Sequence, residues 1–364
     1  MRPSGIQLAL LGLAACNVDV RLGALPLSGD AAPIDGNVGD AGGDVTTSDG
    51  GCGDTTSSSL NCGRCGHSCL GAPCNGGLCD STVLASGLSR PDWLTLDATN
   101  VYFTCNGKSG LVGQENDVDK VDKQGNGFLT LRKEVGIPAG IVVDATDVFF
   151  TAKGAASSES MIRKVAKGGS TVTPVANAPL GDATGLAIDG NELFWAGNTV
   201  VRRAMTYDNT TFGTDWLTGI AAAQGVAVSP TRLYVTSGGS PNFSVVDRAT
   251  KAIVNQVTLA GTTFDVFVAG NDVYVASGVA AYQTDLGGQV VQTLDSGFIG
   301  GLAIVADAER VYWSTDVGIR ARRRDLQGGV ETVATFNDVG HLAIDASYLY
   351  FTRHFAGEVR KVAR

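Results

Sequence analysis

One aromatic position recurs seven times between residue 102 and the end of the chain. The intervals are 47, 45, 40, 40, 38 and 38 residues, and a period of about 40–45 residues is typical of four-stranded propeller blades. Aromatic residues make up 7% of the chain, so the recurrence indicates a buried packing site between blades. The seven copies are Tyr102, Phe149, Phe194, Tyr234, Tyr274, Tyr312 and Tyr350.

Each copy reads as two strands joined by a turn. In the first copy, apolar residues alternate with period two over residues 94–96, turn-forming residues occupy 97–100, and β-branched and aromatic residues follow. Two further strand-like runs complete a unit, as at residues 162–165 and 171–175. Because no segment has a sustained period of 3.6 residues, we predict an all-β chain with almost no helix.

The seventh repeat is one strand short. Its third strand is predicted at residues 358–362, close to the last residue of the sequence, and residues 82–87 match the outer-strand pattern ahead of the first repeat. The sequence therefore predicts a seven-bladed β-propeller closed by an N-terminal strand, which leaves only short, protected sheet edges. A pair of β-sandwiches is the alternative, but it explains neither the seven units nor the displaced strand.

The first residues have the form of an export signal. Arg2 precedes a short apolar core at residues 6–13, and Leu13-Ala-Ala-Cys16 follows. This ending resembles the lipobox of bacterial lipoproteins, which implies that residues 1–15 are removed and that Cys16 is acylated. We then expect the protein to be exported and held by its lipid anchor at the outer membrane or cell surface. An ordinary secretory signal with an incidental Cys is the alternative.

Two short regions separate this signal from the predicted propeller at residues 81–364. Residues 16–51 are rich in Gly, Asp, Ala, Ser and Thr, a composition that favours a flexible, disordered linker. Residues 52–80 hold six Cys, which in an exported segment predict three disulfides with fifteen possible pairings. They are Cys52, Cys62, Cys65, Cys69, Cys74 and Cys79.

A metal site is the alternative for this Cys-rich module, because Cys62, Cys65 and Cys69 with His67 have partly zinc-like spacing. Export favours oxidation and hence disulfides. The pattern from Asn61 to Cys79 resembles small Cys-rich modules that precede propellers in surface lipoproteins, which implies a structural stalk. Cys105 is left over, either as a buried free thiol or exposed in a loop at 106–117.

Strands such as Val101-Tyr-Phe-Thr104, Val311-Tyr-Trp-Ser314 and Leu349-Tyr-Phe-Thr352, with Gly357-Glu-Val-Arg-Lys361, resemble propellers of the YWTD and NHL type. The resemblance implies a disc that binds a ligand or a protein. The Asp that completes the YWTD motif is missing from most copies, so the polar network between blades of that family is not expected here.

A candidate site follows from the residue that precedes each first strand. Gly occupies this position at 140, 185, 225 and 301, whereas Trp93, Asp265 and His341 depart from it. Trp93 and His341 belong to blades that become neighbours when the ring closes. Together with Asp265, Asp92 and the blade 7 loop residues Arg353 and His354, these two residues form our predicted ligand-binding set. Strand-end caps and packing residues are the alternative.

The first function class is a non-catalytic binding scaffold for a protein, peptide or carbohydrate. The second is a metal-dependent propeller enzyme that resembles a gluconolactonase or virginiamycin B lyase, in which His341 and Glu115 would serve beside a divalent metal at the channel. We rank binding first because the sequence has no Ser-His-Asp, phosphate-loop or HExxH pattern. We expect no other cofactor, and we expect the protein to be a monomer.

Nucleic acid is not an expected partner. The chain carries a net charge of −9, and a nucleic-acid binder would need a basic face. Residues 320–324 hold the densest basic run, which strand geometry divides between two faces. We therefore expect this run to lie on a solvated outer strand.

Overall fold

The computed structural model describes residues 52–107, 116–134, 136–153, 161–169, 171–177, 183–197, 200–205 and 214–364. The predicted signal, Cys16, the linker and Glu115 lie outside these residues. The described residues form strands and turns without a helix, so none of them belongs to a helix that could span a membrane.

Three groups of strands come first in chain order. The Cys-rich module has β1 (Cys74–Asn75) and β2 (Leu78–Cys79), and β3 (Thr82–Ala85) follows. Blade 1 comprises β4 (Pro91–Leu96), β5 (Asn100–Asn106), β6 (Asn116–Asp122) and β7 (Leu129–Glu134). Blade 2 comprises β8 (Ile137–Val143), β9 (Asp147–Lys153), β10 (Met161–Ala166) and β11 (Thr173–Asn177).

The next blades repeat this order. Blade 3 comprises β12 (Ala183–Asp189), β13 (Glu192–Gly197), β14 (Val200–Met205) and β15 (Thr214–Thr218). Blade 4 comprises β16 (Ala223–Val228), β17 (Arg232–Ser237), β18 (Phe243–Asp247) and β19 (Ile253–Val257). Blade 5 comprises β20 (Thr263–Ala269), β21 (Asp272–Ser277), β22 (Ala280–Asp285) and β23 (Val290–Ser296).

The remaining strands complete the disc. Blade 6 comprises β24 (Ile304–Ala306), β25 (Arg310–Thr315), β26 (Gly318–Arg323) and β27 (Glu331–Ala334). The final strands are β28 (Val339–Ile344), β29 (Tyr348–Arg353) and β30 (Glu358–Ala363).

The sheets differ in how the chain builds them. The sequence predicts a seven-bladed ring; the structure has six blades that are each continuous in the chain, and a further four-stranded sheet of order β28-β29-β30-β3. This composite sheet, blade 7, exists because β3 pairs with β30, with Thr82 opposite Lys361 and Ala85 opposite Val359. The first strands contact one another around the ring, and β28 contacts β4, so the inner edge of each sheet is covered.

The recurring aromatic position is buried in every blade, as predicted: each of its seven side chains is at most 1% exposed. It packs in the cores between neighbouring blades, for example Tyr350 with Phe103 and Val121 of blade 1. A fully buried aromatic side chain contributes about 1.5–3 kcal/mol or more to folding, and seven of them hold the ring together.

A polar network between blades accompanies this packing, although the sequence resemblance gave no reason to expect one. The Lys167 ammonium of blade 2 donates to the Asp97 carboxylate of blade 1 at 2.9 Å, where the Tyr102 hydroxyl also donates at 2.8 Å. Lys123 of blade 1 reaches Asp345 of blade 7 at 2.9 Å in the same way. Although burial opposes it, the Lys123 ammonium and backbone N–H donors lower the pKa of Asp345 to about 2.

The cation of each such pair directly follows the third strand of its blade. Further pairs join Arg248 to Asp189 at 2.5 Å, Arg324 to Asp272 at 2.8 Å, and Arg364 to Asp307. Several cations also lie over the recurring aromatic ring of the preceding blade, as Lys167 does over Tyr102 at 5.7 Å. An acidic residue at or beside the turn between the first and second strands thus takes the place of the YWTD Asp as the partner of these cations.

The basic run at residues 320–324 is placed differently from the sequence prediction. It belongs to the third strand, β26, and the turn after it, while β27 forms the outer edge. Arg320 pairs with Asp295 at 2.8 Å and Arg324 with Asp272 at 2.8 Å. These charges are therefore used within the disc, because long Arg side chains reach across to the preceding blade.

Cys105 is a buried thiol outside the three disulfides, which agrees with one of the two sequence readings. It lies in β5, and its Sγ is 3.4 Å from Oδ2 of Asp119 in β6. The predicted long loop is also shorter, because Asp117 is a buried residue of β6.

The Cys-rich module is held by three disulfides, Cys52–Cys65, Cys62–Cys74 and Cys69–Cys79. The sulfurs of Cys62, Cys69 and Cys79 lie close together, but all three are oxidised, so they offer no thiolate to a metal. The module packs its cystines against blades 6 and 7, including Ala321 and Val362. It is docked on the disc, not held away from it as a stalk would be.

Candidate functional site at the channel mouth

A cavity of about 420 Å³ occupies the centre of the disc, lined by residues of the seven first strands. Most of its wall is apolar, as at Leu186, Val226 and Ala343. The polar side chains among the described lining residues are Thr95, Asp265 and His341, and Trp93 joins them. An apolar cavity with a few polar groups at one end is the usual form of a ligand site.

Trp93 and His341 form a stacked pair across the ring closure. Each is the third residue of its first strand, β4 or β28, and their ring centroids are 3.6 Å apart with 25° between the planes. The sequence predicted that these two residues would be neighbours, and the structure brings them into contact. The stack presents a flat aromatic surface beside the cavity.

A hydroxyl at the end of each second strand fixes this geometry. The Thr352 hydroxyl accepts the N–H of His341 at 3.0 Å and donates to the backbone oxygen of Asp92 in blade 1 at 2.8 Å. Thr104 accepts the N–H of Trp93 at 3.3 Å. The Thr residues of the two YFT sequences therefore position the stack, and Thr352 also joins blade 7 to blade 1.

The candidate positions lie inside the first strands, not before them as the sequence predicted. The register of the strand pairing shifts between Pro91 and Leu94 and between Val339 and Leu342. The first strand therefore continues past this irregularity to the channel mouth. A Cβ at Gly140 or Gly185 would lie 2.3 or 2.4 Å from a carbonyl oxygen of the next blade. Gly is therefore required where blades approach this closely.

Asp265 belongs to the same cavity but is tied into the wall. Its Oδ1 accepts the N–H of Val266 at 2.9 Å, and its Oδ2 accepts the N–H of Ile304 in blade 6 at 3.0 Å. Burial raises the pKa of Asp265, although the charge of His341 and these two donors oppose that rise. The carboxylate thus links blades 5 and 6, and it also interacts electrostatically with the imidazole of His341.

The other three predicted residues do not line this cavity. Arg353 donates to Asp338 at 2.8 Å and to Glu358 at 3.0 Å, and its guanidinium lies 4.4 Å from the Phe336 ring centroid. Its donors are directed within blade 7. This geometry describes a packing and ion-pair element.

His354 and Asp92 lie at the seam between blades 7 and 1. Arg90 Nε donates to His354 Nε2 at 2.9 Å, and Asp92 Oδ2 accepts from Asn106 Nδ2 at 2.7 Å. Burial lowers the pKa of His354, and the Arg90 charge acts in the same direction while Asp92 opposes it. A neutral imidazole that accepts from a guanidinium is therefore favoured.

Sequence reasoning missed a set of exposed apolar side chains on the mouth face. Phe355 is 79% exposed, Ile299 70% and Val317 55%, and all lie in connections that end on the same face as Trp93 and His341. The Ile299 and Val317 loops touch, since the N–H of Asp316 donates to the oxygen of Ile299 at 2.7 Å. Large apolar residues in predicted turns were the available signal, because turns normally favour Gly, Asn and Asp.

Few ionisable side chains occur among the described residues that line the mouth. Among the described residues that line the cavity, Asp265 is the single carboxylate and His341 the single imidazole. Both oxygens of Asp265 already accept backbone N–H groups. A planar or apolar group would find an aromatic platform with one hydrogen-bonding ring nearby.

No family model matches the chain, and no curated protein matches it. Solved structures share its fold. The WD40 β-propeller domain of Doa1 aligns with a TM-score of 0.62 and 10% identity over 78% of this chain and 97% of that one. A catalytically inactive virginiamycin B lyase from Staphylococcus aureus with quinupristin gives 0.61 and 11%, over 78% and 98%. BamB from Moraxella catarrhalis gives 0.52 and 15%, over 83% and 90%. Identities this low establish the β-propeller class alone.

Proposed function

We propose that this protein is an exported, non-catalytic β-propeller that binds a protein or peptide on its mouth face. The observation that carries the proposal is the exposed apolar set of Phe355, Ile299 and Val317 on the same face as the Trp93–His341 stack. Exposed apolar groups beside a concave aromatic surface are typical of interaction sites. A partner would place an apolar or planar side chain in the mouth and cover the surrounding loops.

Lipid attachment belongs to the same proposal. The Leu13-Ala-Ala-Cys16 sequence supports acylation at Cys16, and three disulfides support export to an oxidising compartment. Cys16 would then anchor the protein, and the predicted linker at residues 17–51 would let the disc meet its partner away from the lipid surface.

A peptide-display selection against the immobilised protein tests the mouth face. Peptides bound by the wild type are measured again with Trp93→Ala, His341→Ala and Phe355→Ser, after a thermal melt checks folding. The matched control is Val291→Ser, since Val291 is an equally apolar residue, 58% exposed, on the outer strand of blade 5. We expect the three mouth variants to lose binding at least about tenfold, while the control binds normally. Equal binding by all four variants would place the site elsewhere.

A metal-dependent enzyme is the second candidate, favoured by the presence of Asp265 and His341 in one cavity. A lyase with this fold has been solved with quinupristin. The discriminating measurement is elemental analysis of the purified protein. Stoichiometric Ca, Mg or Zn that is lost in His341→Ala would favour the enzyme; binding of peptides after chelation favours the scaffold.

A further inference from the structure

A second cavity, of about 390 Å³, lies between the Cys-rich module and blade 6. Arg64 and His67 of the module form one side, and Arg310 and Glu331 of blade 6 form the other. Arg310 and Glu331 are the first residues of β25 and β27, at the end of the blade away from the channel mouth. The cavity is thus separate from the site described above and is complete only when the module is docked.

Positive charge in this cavity exceeds the carboxylates that pair with it. The Glu331 carboxylate accepts from Arg310 Nη1 at 2.6 Å and lies 3.5 Å from Arg64 Nη1, so one acid serves two guanidinium groups. Arg364, a third cation of the wall, pairs with Asp307 and donates to the oxygen of Ala346. Burial lowers the pKa of Arg64, and the nearby charge of Arg310 lowers it further.

The two guanidinium groups of the wall make few contacts with other side chains of the described residues. Arg310 is only 6% exposed, yet within the part of the chain that the structure describes its side chain donates one hydrogen bond, to Glu331. The Arg64 side chain, which is 31% exposed, contacts Glu331 at 3.5 Å. His67 Nδ1 donates to the oxygen of Cys62 at 2.6 Å, and the backbone of Ala363 also bonds this imidazole. Because one carboxylate serves both guanidinium groups, Arg64 and Arg310 keep donors that an oxyanion entering the cavity can satisfy.

We propose that this cavity binds a monosaccharide-sized molecule that carries one carboxylate or phosphate group. Guanidinium groups pair with either oxyanion in a two-pronged geometry, and the incoming group would supply the second anion that Arg64 and Arg310 lack. The side chains of Thr55, Thr56 and Thr332 also line the cavity and can bond ring hydroxyls. Burial lowers the pKa of His67, so a neutral imidazole is favoured beside the guanidinium groups.

Isothermal titration of the purified protein with glucuronate, glucose 6-phosphate and neutral glucose tests this proposal. We expect at least one anionic probe to bind, more weakly as salt is raised, and glucose not to bind. Arg64→Gln should weaken binding at least about tenfold. Arg323→Gln is the control, because it removes the same charge from an exposed residue paired with Asp325 outside the cavity.

Glu331→Gln separates a binding site from a purely structural ion pair. Removing the competing carboxylate should strengthen binding of the anionic probe, whereas a structural pair would only lower the melting temperature. If this variant does not fold, the comparison of Arg64→Gln with Arg323→Gln decides. The proposal is overturned if neither anionic probe binds the wild type at millimolar concentration, or if Arg64→Gln binds it as well as the wild type does.

Discussion

Replacing Asp119 with Asn should make the protein more stable at pH 8 and flatten its dependence on pH. Asp119 is fully buried in β6, where burial, together with the charge of Asp117, raises its pKa from 3.8 to about 7 despite a hydrogen bond from Thr130. The folded chain therefore holds this proton more tightly than the unfolded chain does. Its stabilising effect is complete below the unfolded pKa and is lost as the pH rises through 7.

The size of the effect follows from this difference in pKa. A rise of roughly three units corresponds to about 4 kcal/mol of unfolding free energy at about 1.4 kcal/mol per unit, of which about 2.5 kcal/mol is lost between pH 5 and pH 8. Asn cannot ionise, so Asp119→Asn should remove this loss. Burial dominates the shift, and Asp119 Oδ1 has no hydrogen bond to offset the cost of ionisation.

Urea unfolding at a series of pH values, followed by tryptophan fluorescence, measures the difference. The control is Asp325→Asn, an exposed carboxyl whose pKa is lowered to about 2, first by its hydrogen bond with Arg323; it stays ionised over this range and should leave the slope unchanged. A variant with Asn at 119 that loses stability between pH 5 and pH 8 as steeply as the wild type would refute the reasoning.

Three further predictions concern closure, anchoring and the contacts between blades. Deleting residues 81–88 removes β3 and its pairing with β30, so aggregation or a large fall in melting temperature is expected, whereas deleting residues 17–51 should leave the melt unchanged; equal behaviour of the two contradicts the closure. Cys16→Ser should move the protein from the membrane fraction to the soluble fraction, and membrane retention without a labelled acyl group on the wild type would reject acylation. Lys123→Met keeps the apolar stem but leaves Asp345 without its cation, which should cost about 1–3 kcal/mol in urea unfolding; a cost confined to high salt would contradict an ion pair.

The architecture was readable because blade packing repeats a chemical requirement. The position of Tyr102 and Tyr350 must be large and apolar in every blade, so the period is visible in the sequence. The cations that pair with the turn acids occupy an equally regular place, directly after the third strand, as Lys123 and Lys167 do. They were not predicted, because the YWTD motif lies on the second strand whereas these cations follow the third.

The site was only partly readable, for a geometric reason. Closure of the ring predicted that Trp93 and His341 would be neighbours, and both residues stand at a position where most repeats have Gly. Arg353 was grouped with them because it lies in the loop between the second and third strands of blade 7. The sequence could not show that Asp338 and Glu358 already engage its guanidinium. Pairing between side chains on different strands depends on register, which a bulge can shift by one residue.

The docking of the Cys-rich module lay beyond sequence pattern altogether. Arg64 and Glu331 are far apart in the chain and meet because the module packs its disulfides on blades 6 and 7. Nothing periodic encodes such a contact, since it occurs once while the blades repeat. A module held by crosslinks needs little apolar surface of its own, and here that surface is supplied by the disc. Because disulfides hold the module, residues such as Arg64 and His67 need not pack in a core of their own. They are then available to complete a cavity that neither the module nor the disc forms alone.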